Sequence, residues 1–243
     1  MTKNQQIVAK MGGGSLALFL SLSLGQQASA TTLVSNLPPT TTSLSIGGAV
    51  KTDSWLRSSF TTGGGSYGYT LNSVTLRFAQ ITSATPPNNL FVRLYNDNSG
   101  NPGSEITSFT FTNPGSITTT TANNIFTLTT PQTLAANTSF WLLAGIDAPV
   151  GTGGEYSWRG TNSFDQTGEP GWSIGNSSLF SGNQGVSWTT STIANAFQFS
   201  VNGTVNTPPP PPTNIPEPGS VVALLGLGGL GLASRLKKLS TRA

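Results

Sequence analysis

The chain has 243 residues, a formal net charge of +3, and neither cysteine nor histidine. These two absences exclude disulfide bonds, thiolate metal sites and every catalytic triad that uses histidine as its base, so we expect a non-enzymatic protein without metal or cofactor. Only 8% of the residues are charged, whereas soluble proteins usually have about 25%. Ser, Thr, Asn and Gly take their place, which is common in secreted β-rich proteins.

The basic excess is confined to the two ends of the chain. Between Thr31 and Asn206 there are five cations and seven anions, which gives this span a net charge of −2. Nucleic-acid binding requires a basic surface that neutralises phosphates. We therefore expect no nucleic-acid partner.

Residues 1–30 have the organisation of a signal peptide. Two lysines precede an uncharged apolar run over residues 16–24, and Ala28 and Ala30 place small residues at the spacing that signal peptidase requires. We predict cleavage after Ala30, which leaves Thr31 as the first residue of the exported protein. The alternative is a retained N-terminal anchor, although the apolar run is too short to span a bilayer as a permanent helix.

Residues 31–206 are predicted to form short strands separated by Gly, Pro and Asn turns. The clearest strand is Tyr69 to Gln80, where apolar and polar residues alternate with a period of two. Two further strands, at 90–95 and 139–147, are apolar on both faces and are expected to be central. Residues 96–103 are predicted to form a turn. Other strands are predicted over residues 54–60, 106–112, 124–129, 156–159 and 195–205.

The last predicted strand has a clear inward and outward face. We expect its apolar residues to face the core and the alternating polar residues to point away from it: Phe197, Phe199 and Val201 inward, and Gln198, Ser200 and Asn202 outward. Eight to eleven short strands without an amphipathic helix predict an all-β fold, a β-sandwich of jelly-roll type, with a barrel as the alternative.

Parts of this span resemble the extracellular domain family named choice-of-anchor R. The stretches that carry the resemblance are residues 59–63, 69–76, 92–104, 140–142 and 171–175. The resemblance implies a domain that is attached to varied surface anchors, and it implies no catalytic residues.

The last thirty residues have three parts in a fixed order. After a proline-rich linker over residues 207–214, they contain a Pro-Glu-Pro tripeptide, an apolar Gly/Leu-rich run and a basic cluster: Pro216, Glu217 and Pro218, then residues 221–232, then Arg235, Lys237 and Lys238. This arrangement over residues 215–243 resembles the PEP-CTERM sorting domain. The resemblance implies recognition by an exosortase, with processing near the tripeptide.

The apolar run is predicted to be a temporary membrane anchor. As a helix, Gly219 to Ser234 would be about 24 Å long at about 1.5 Å per residue, which is shorter than the roughly 30 Å hydrocarbon core of a bilayer. The basic cluster after it would remain cytoplasmic. The alternative is an ordinary C-terminal tail anchor.

Three groups of residues in the β-domain offer candidate chemistry. Asp97, Asn98 and Asn101 could supply oxygens to Ca²⁺, although a hairpin turn is the simpler interpretation and a complete loop needs more carboxylates. Asp165, Glu169 and Glu155 could pair for glycoside hydrolysis, although solvated loop acids are expected by default. Exposed indoles could stack on sugar rings, or could fill the core instead: Trp158, Trp172 and Trp188.

These patterns lead to one functional hypothesis and two alternatives. The main hypothesis is a secreted, non-enzymatic structural or adhesive protein that an exosortase sorts to the cell surface or the extracellular matrix. The alternatives are a carbohydrate-binding module for exopolysaccharide and a glycoside hydrolase. The expected partners are signal peptidase, exosortase, the membrane around the C-terminal anchor, and exopolysaccharide.

Overall fold

A computed structural model describes residues 30–44, 47–81, 89–111, 117–151 and 154–209. Every regular element in these residues is a β-strand, which confirms the all-β prediction. The strands are β1 (Thr31–Ser35), β2 (Gly48–Val50), β3 (Trp55–Thr61), β4 (Tyr69–Gln80), β5 (Leu90–Asn98), β6 (Asn101–Phe109), β7 (Ala122–Leu134), β8 (Ser139–Ile146), β9 (Tyr156–Trp158), β10 (Gly160–Thr161), β11 (Thr167–Gly168), β12 (Ser173–Ile174), β13 (Leu179–Ser181), β14 (Thr189–Thr190), β15 (Ala196–Phe197) and β16 (Phe199–Val205).

The long strands form two sheets of seven strands each. In the first sheet the order is β11, β1, β16, β4, β9 and β2, and β7 pairs with β4. In the second sheet the order is β14, β13, β3, β8, β5 and β6, and β12 pairs with β3. Strands β10 and β15 form a separate pair. The pairs between these strands are antiparallel.

Both sheets contribute side chains to one apolar core. Phe60 on β3 and Phe199 on β16 belong to different sheets, and their ring centroids are 6.4 Å apart. Within the first sheet, Phe78 packs edge-on against Phe126 at 5.9 Å. Aromatic burial of this kind removes large apolar areas from water and stabilises the fold. The two sheets and their shared core are the features that a sandwich requires, while the jelly-roll order of connections stays a prediction.

The irregular alternation in β4 has a structural cause. Its apolar residues change phase by one residue between Leu71 and Val74, and the pairing of β4 with β16 and with β7 shifts register at the same place. A β-bulge inserts one extra residue into a strand and so changes which residues face the core. The bulge therefore keeps Leu71 and Val74 both fully buried on the core side.

The outward-pointing side chains of Gln198 and Ser200 are not open to solvent. Phe197, Phe199 and Val201 are fully buried as expected, but Gln198 is also fully buried and Ser200 is 5% exposed. The outer face at Gln198 is covered by the segment after β1, because the Gln198 Nε2 donates to Thr41 Oγ1 at 2.7 Å. Strand alternation predicts the face of a side chain, but it cannot predict what covers that face.

The turn between β5 and β6 is shorter than the predicted turn over residues 96–103. Only Ser99 and Gly100 lie between the two strands, with φ angles of 54° and 81°. Positive φ at both central residues is the signature of a two-residue hairpin turn whose twist matches that of the strands. The polar residues on either side remain in the hairpin, where the Asn96 Nδ2 donates to Ser104 Oγ at 3.1 Å.

The described residues include no helix that is long and apolar enough to cross a membrane. The predicted signal peptide up to residue 29, the linker from residue 210 and the whole sorting segment lie outside the described residues. Strand β1 begins at Thr31, the residue that cleavage after Ala30 would leave at the N-terminus.

Candidate functional site

Trp158 lies in the core rather than on the surface. It is fully buried, it stacks on Phe197 with ring centroids 4.9 Å apart, and its Nε1 donates to the Gln198 carbonyl at 2.9 Å. Strand β9 places it there by pairing with both β2 and β4. Neither face of the indole is therefore open to a sugar ring.

Trp172 is also a core residue. It is 5% exposed, it stacks on Phe60 at 5.8 Å with an interplanar angle of 9°, and it meets Tyr69 edge-on at 4.8 Å. Its Nε1 is buried without a hydrogen-bond partner among the described residues. Core filling, the alternative interpretation of these indoles, accounts for both Trp158 and Trp172.

Trp188 occupies a different environment on the outer face of the second sheet. It is partly exposed and packs against a second apolar cluster formed by Phe91, Trp141 and Leu143. The guanidinium of Arg57 lies between two indoles, 4.2 Å from the Trp141 ring and 4.6 Å from the Trp188 ring. Of the three tryptophans that the sequence suggested, Trp188 is the one that remains near the surface.

Arg57 is the least expected residue of this outer face, because it is fully buried. Its Nη2 donates to Asn101 Oδ1 at 3.0 Å, whereas Nε and Nη1 have no hydrogen-bond partner among the described residues. Burial lowers the pKa of Arg57 to about 10, although the nearby Asp97 carboxylate opposes this shift. The side chain is therefore still a cation at neutral pH, and the two indoles stabilise it through cation–π contacts.

Two of the three candidate calcium ligands, Asp97 and Asn101, accept hydrogen bonds from other parts of the β-domain. Asp97 Oδ1 accepts hydrogen bonds from Trp141 Nε1 at 2.7 Å and from the Gly100 amide at 3.2 Å. Asn101 Oδ1 accepts from Arg57. No cluster of three or more acidic residues that could hold a metal ion is found in the described residues. Asp97 and Asn101 thus hold the hairpin against Trp141 and Arg57, which agrees with the hairpin interpretation.

The candidate hydrolytic carboxylates have separate structural surroundings. Asp165 Oδ2 accepts a hydrogen bond from Ser163 Oγ at 2.8 Å. The Glu169 amide is bonded to the Leu33 carbonyl beside β1, whereas the Glu155 carbonyl accepts from the Ile81 amide at the end of β4. Glu155 follows β8, Asp165 follows β10 and Glu169 follows β11. The three residues thus belong to three different loops, and no hydrogen bond in the described residues joins their carboxylates.

The second apolar cluster is a feature that no motif in the sequence singled out. Its partly buried members include Trp55, Tyr95 and Leu179, and the Trp55 and Phe91 rings meet edge-on at 4.8 Å. The available signal was the apolar character of β5 and β8 on both faces. Strand β8 is indeed buried along nearly its whole length, because this cluster covers the side opposite the core.

The sorting residues from Pro216 to Lys238 lie outside the described residues, so their geometry is not part of the site. Of the signal peptidase residues, Ala28 is also outside the described residues, and Ala30 is exposed immediately before β1.

Comparison with known proteins identifies the C-terminal segment. The family described as PEP-CTERM protein-sorting motif matches residues 214–238. No curated protein and no solved structure matches the chain. The matched segment contains the Pro-Glu-Pro tripeptide, the apolar run and the basic cluster, and it supports export of the chain and sorting by an exosortase.

Proposed function

We propose that the chain is a non-enzymatic structural or adhesive protein of the cell surface or extracellular matrix, delivered there by exosortase sorting. The observation that carries the proposal is the PEP-CTERM motif at residues 214–238. Such a motif directs the localisation of the domain that precedes it. The function of the chain therefore depends on what the surface of residues 31–206 binds at that location.

The two outer faces of the β-domain support a role in contacts rather than in chemistry. The outer face of the first sheet is rich in hydroxyl and amide groups, which bond to one another across the strands, and Arg77 lies among them, where its Nη1 donates to Asn123 Oδ1 at 3.2 Å. Thr32 Oγ1 donates to Asn202 Oδ1 at 3.2 Å, and Asn202 Nδ2 donates to Thr75 Oγ1 at 3.3 Å. The corresponding face of the second sheet carries aromatic rings and arginines. Neither surface carries a large net charge, so both can contact a hydrated matrix through hydrogen bonds and apolar contacts.

The absence of a catalytic activity remains part of the proposal. The sequence lacks histidine and cysteine, so acid–base chemistry would have to rely on carboxylates. Hydrolysis of a glycoside needs two carboxyl groups held at a defined separation. Asp165 and Glu169 flank β11 on exposed or half-exposed loops, an arrangement that favours solvated acids over a catalytic pair.

The proposal is tested in the producing cells. A strain that makes the full chain is compared with one that makes a chain ending at Thr213, and the protein is followed by immunoblot in membrane, surface, matrix and medium fractions. We expect the full chain in the surface or matrix fraction and the truncated chain in the medium. A gene deletion should weaken the cohesion of the matrix, measured by its resistance to shear. Full chain confined to the cytoplasm, or unchanged cohesion, contradicts the proposal.

A further inference from the structure

A cleft opens between two segments of the β-domain. Residues 40–44 form one wall, Thr161, Asn162, Ser163 and Asp165 form the other, and the cleft has a volume of about 250 Å³. The walls are joined by a hydrogen bond from the Leu44 amide to the Gly160 carbonyl at 2.9 Å. Six of the nine lining residues carry a hydroxyl group, and the only charged side chain that lines the cleft in the described residues is Asp165.

The wall formed by residues 40–44 is held in place by a buried hydrogen-bond network. The Gln198 side chain, which is fully buried, donates to Thr41 Oγ1 at 2.7 Å and accepts from Ser43 Oγ at 2.6 Å. Arg77 Nε donates to Ser43 Oγ at 2.8 Å, and Thr41 Oγ1 donates to the Asn36 carbonyl. Because each contact fixes a side chain of the wall, the cleft is organised before any ligand arrives.

Several polar groups of the lining have no intramolecular hydrogen bond in the described part of the chain. They are the hydroxyls of Thr40 and Thr42, the side-chain amide of Asn162, and Asp165 Oδ1. Asp165 uses its other oxygen for Ser163, whose own amide is bonded to Thr161 Oγ1 at 3.1 Å. The cleft thus offers free neutral donors and acceptors together with one charged acceptor, which can bond strongly to a ligand hydroxyl.

An exposed aromatic ring stands next to these groups. Phe164 is 61% exposed and lines a small hollow that shares Ser163 and Asp165 with the cleft. Covering an exposed phenyl ring with another apolar surface is favourable, because it removes apolar area from water. The C–H face of a sugar ring is such a surface, and the hydroxyls on the same sugar need polar partners of the kind that the cleft supplies.

We propose that this cleft binds one neutral hexose unit of a polysaccharide, with Phe164 packed on the sugar face and Asp165 accepting hydroxyl hydrogen bonds. The volume lies below the roughly 300 Å³ at which pockets for drug-sized molecules begin, which suits a single ring. The carboxylate of Asp165 repels an acidic sugar. That the hexose belongs to a polysaccharide rests on the proposed delivery to the matrix. That the cleft binds a hexose rests only on the residues of the cleft.

Saturation-transfer difference NMR tests the site directly. The full chain is kept in a detergent without a sugar headgroup, and glucose, galactose, mannose and glucuronate are used as probes. The variants Phe164→Ala and Asp165→Asn alter exposed side chains, so the fold should survive. Phe180→Ala and Asp53→Asn are the matched controls, since they change an exposed phenyl ring and an exposed carboxylate elsewhere. Urea midpoints confirm that all four variants are folded.

We expect saturation transfer to at least one neutral hexose, with a Kd that weakens tenfold or more in each cleft variant and changes less than twofold in each control. Glucuronate should bind more weakly than the preferred hexose. The inference is overturned if no neutral hexose receives saturation, or if the cleft variants bind the hexose as tightly as the unmodified protein does. A preference for glucuronate over every neutral hexose would overturn it as well. None of these outcomes affects the sorting of the chain, which is measured by fractionation.

Discussion

At the scale of single residues, a substitution of Trp158 tests whether this indole has a core role or a surface role. The fully buried ring should make Trp158→Ala cost about 3–5 kcal/mol of unfolding free energy, because the truncation leaves a cavity and removes a large buried apolar area. Urea denaturation monitored by circular dichroism measures this loss. Phe180→Ala, at a ring that is 39% exposed, should cost less than about 1 kcal/mol. Equal losses in the two variants would contradict the core placement of Trp158.

Tyr156 provides a pH-dependent test of burial. Its side chain is fully buried, its hydroxyl has no hydrogen-bond partner among the described residues, and burial raises the pKa of Tyr156 to about 12. The unfolded chain therefore loses this proton first as pH rises, and the stability of the folded state falls between about pH 10 and pH 12. At pH 11 the ionisation of Tyr156 in the unfolded chain should lower the free energy of unfolding by about 1 kcal/mol.

The variant Tyr156→Phe should lack this alkaline loss. At pH 7 it should be equally stable or more stable by up to about 1 kcal/mol, because it removes a buried hydroxyl that lacks a partner. Urea denaturation at pH 7 and pH 11 gives both values. Tyr67→Phe, at a ring that is 53% exposed, is the control and should follow the unmodified protein. A large loss of stability for Tyr156→Phe at pH 7 would show that the hydroxyl has a partner after all.

At the scale of elements, two glycines separate backbone strain from steric conflict. Gly100 and Gly68 have similar positive φ angles of 81° and 69°. A Cβ at Gly100 would meet nothing within 4 Å, whereas one at Gly68 would lie 2.5 Å from the Leu134 carbonyl oxygen. Gly100→Ala should therefore lower the free energy of unfolding by only the cost of placing alanine in the left-handed conformation, about 1–2 kcal/mol. Gly68→Ala should lower it clearly more, because the steric conflict with Leu134 is added. Urea midpoints measured in parallel test this order, and equal losses would contradict it.

The long strands could be predicted from the sequence because their signal is local. Strand β4 runs from Tyr69 to Gln80, as its alternation predicts, and the doubly apolar β8 is buried on both faces. The burial of Gln198 and Arg57 could not be predicted, because it depends on segments that come from distant parts of the chain to cover them. The same applies to Trp158, since composition favours exposed and buried indoles alike. The cleft likewise joins residues 40–44 to residues 161–165, which only the folded chain brings together.

At the scale of the whole molecule, the β-domain and the sorting segment divide the function between them. The matched motif contains no residue of the β-sheets, because it begins at residue 214 and the last strand ends at Val205. The β-domain can therefore fold and present its surfaces while the C-terminal segment is processed. This separation predicts that changes in residues 216–218 alter delivery and leave the stability of the domain unchanged.

The mass of the protein recovered from the producing cells tests both ends of the chain. We expect the mature chain to begin at Thr31 and to end near Pro216, Glu217 and Pro218, because exosortase recognition implies removal of the apolar and basic segment. Replacing these three residues by alanine should leave that segment attached and hold the protein in the membrane fraction. Replacing Pro209, Pro210 and Pro211 by alanine is the matched control, since it changes three nearby residues outside the motif and should leave the mass at both ends unaltered apart from the substitutions. An unmodified protein whose mass still includes Arg235 to Lys238 would instead be a permanently anchored protein, and the exosortase interpretation would then be wrong.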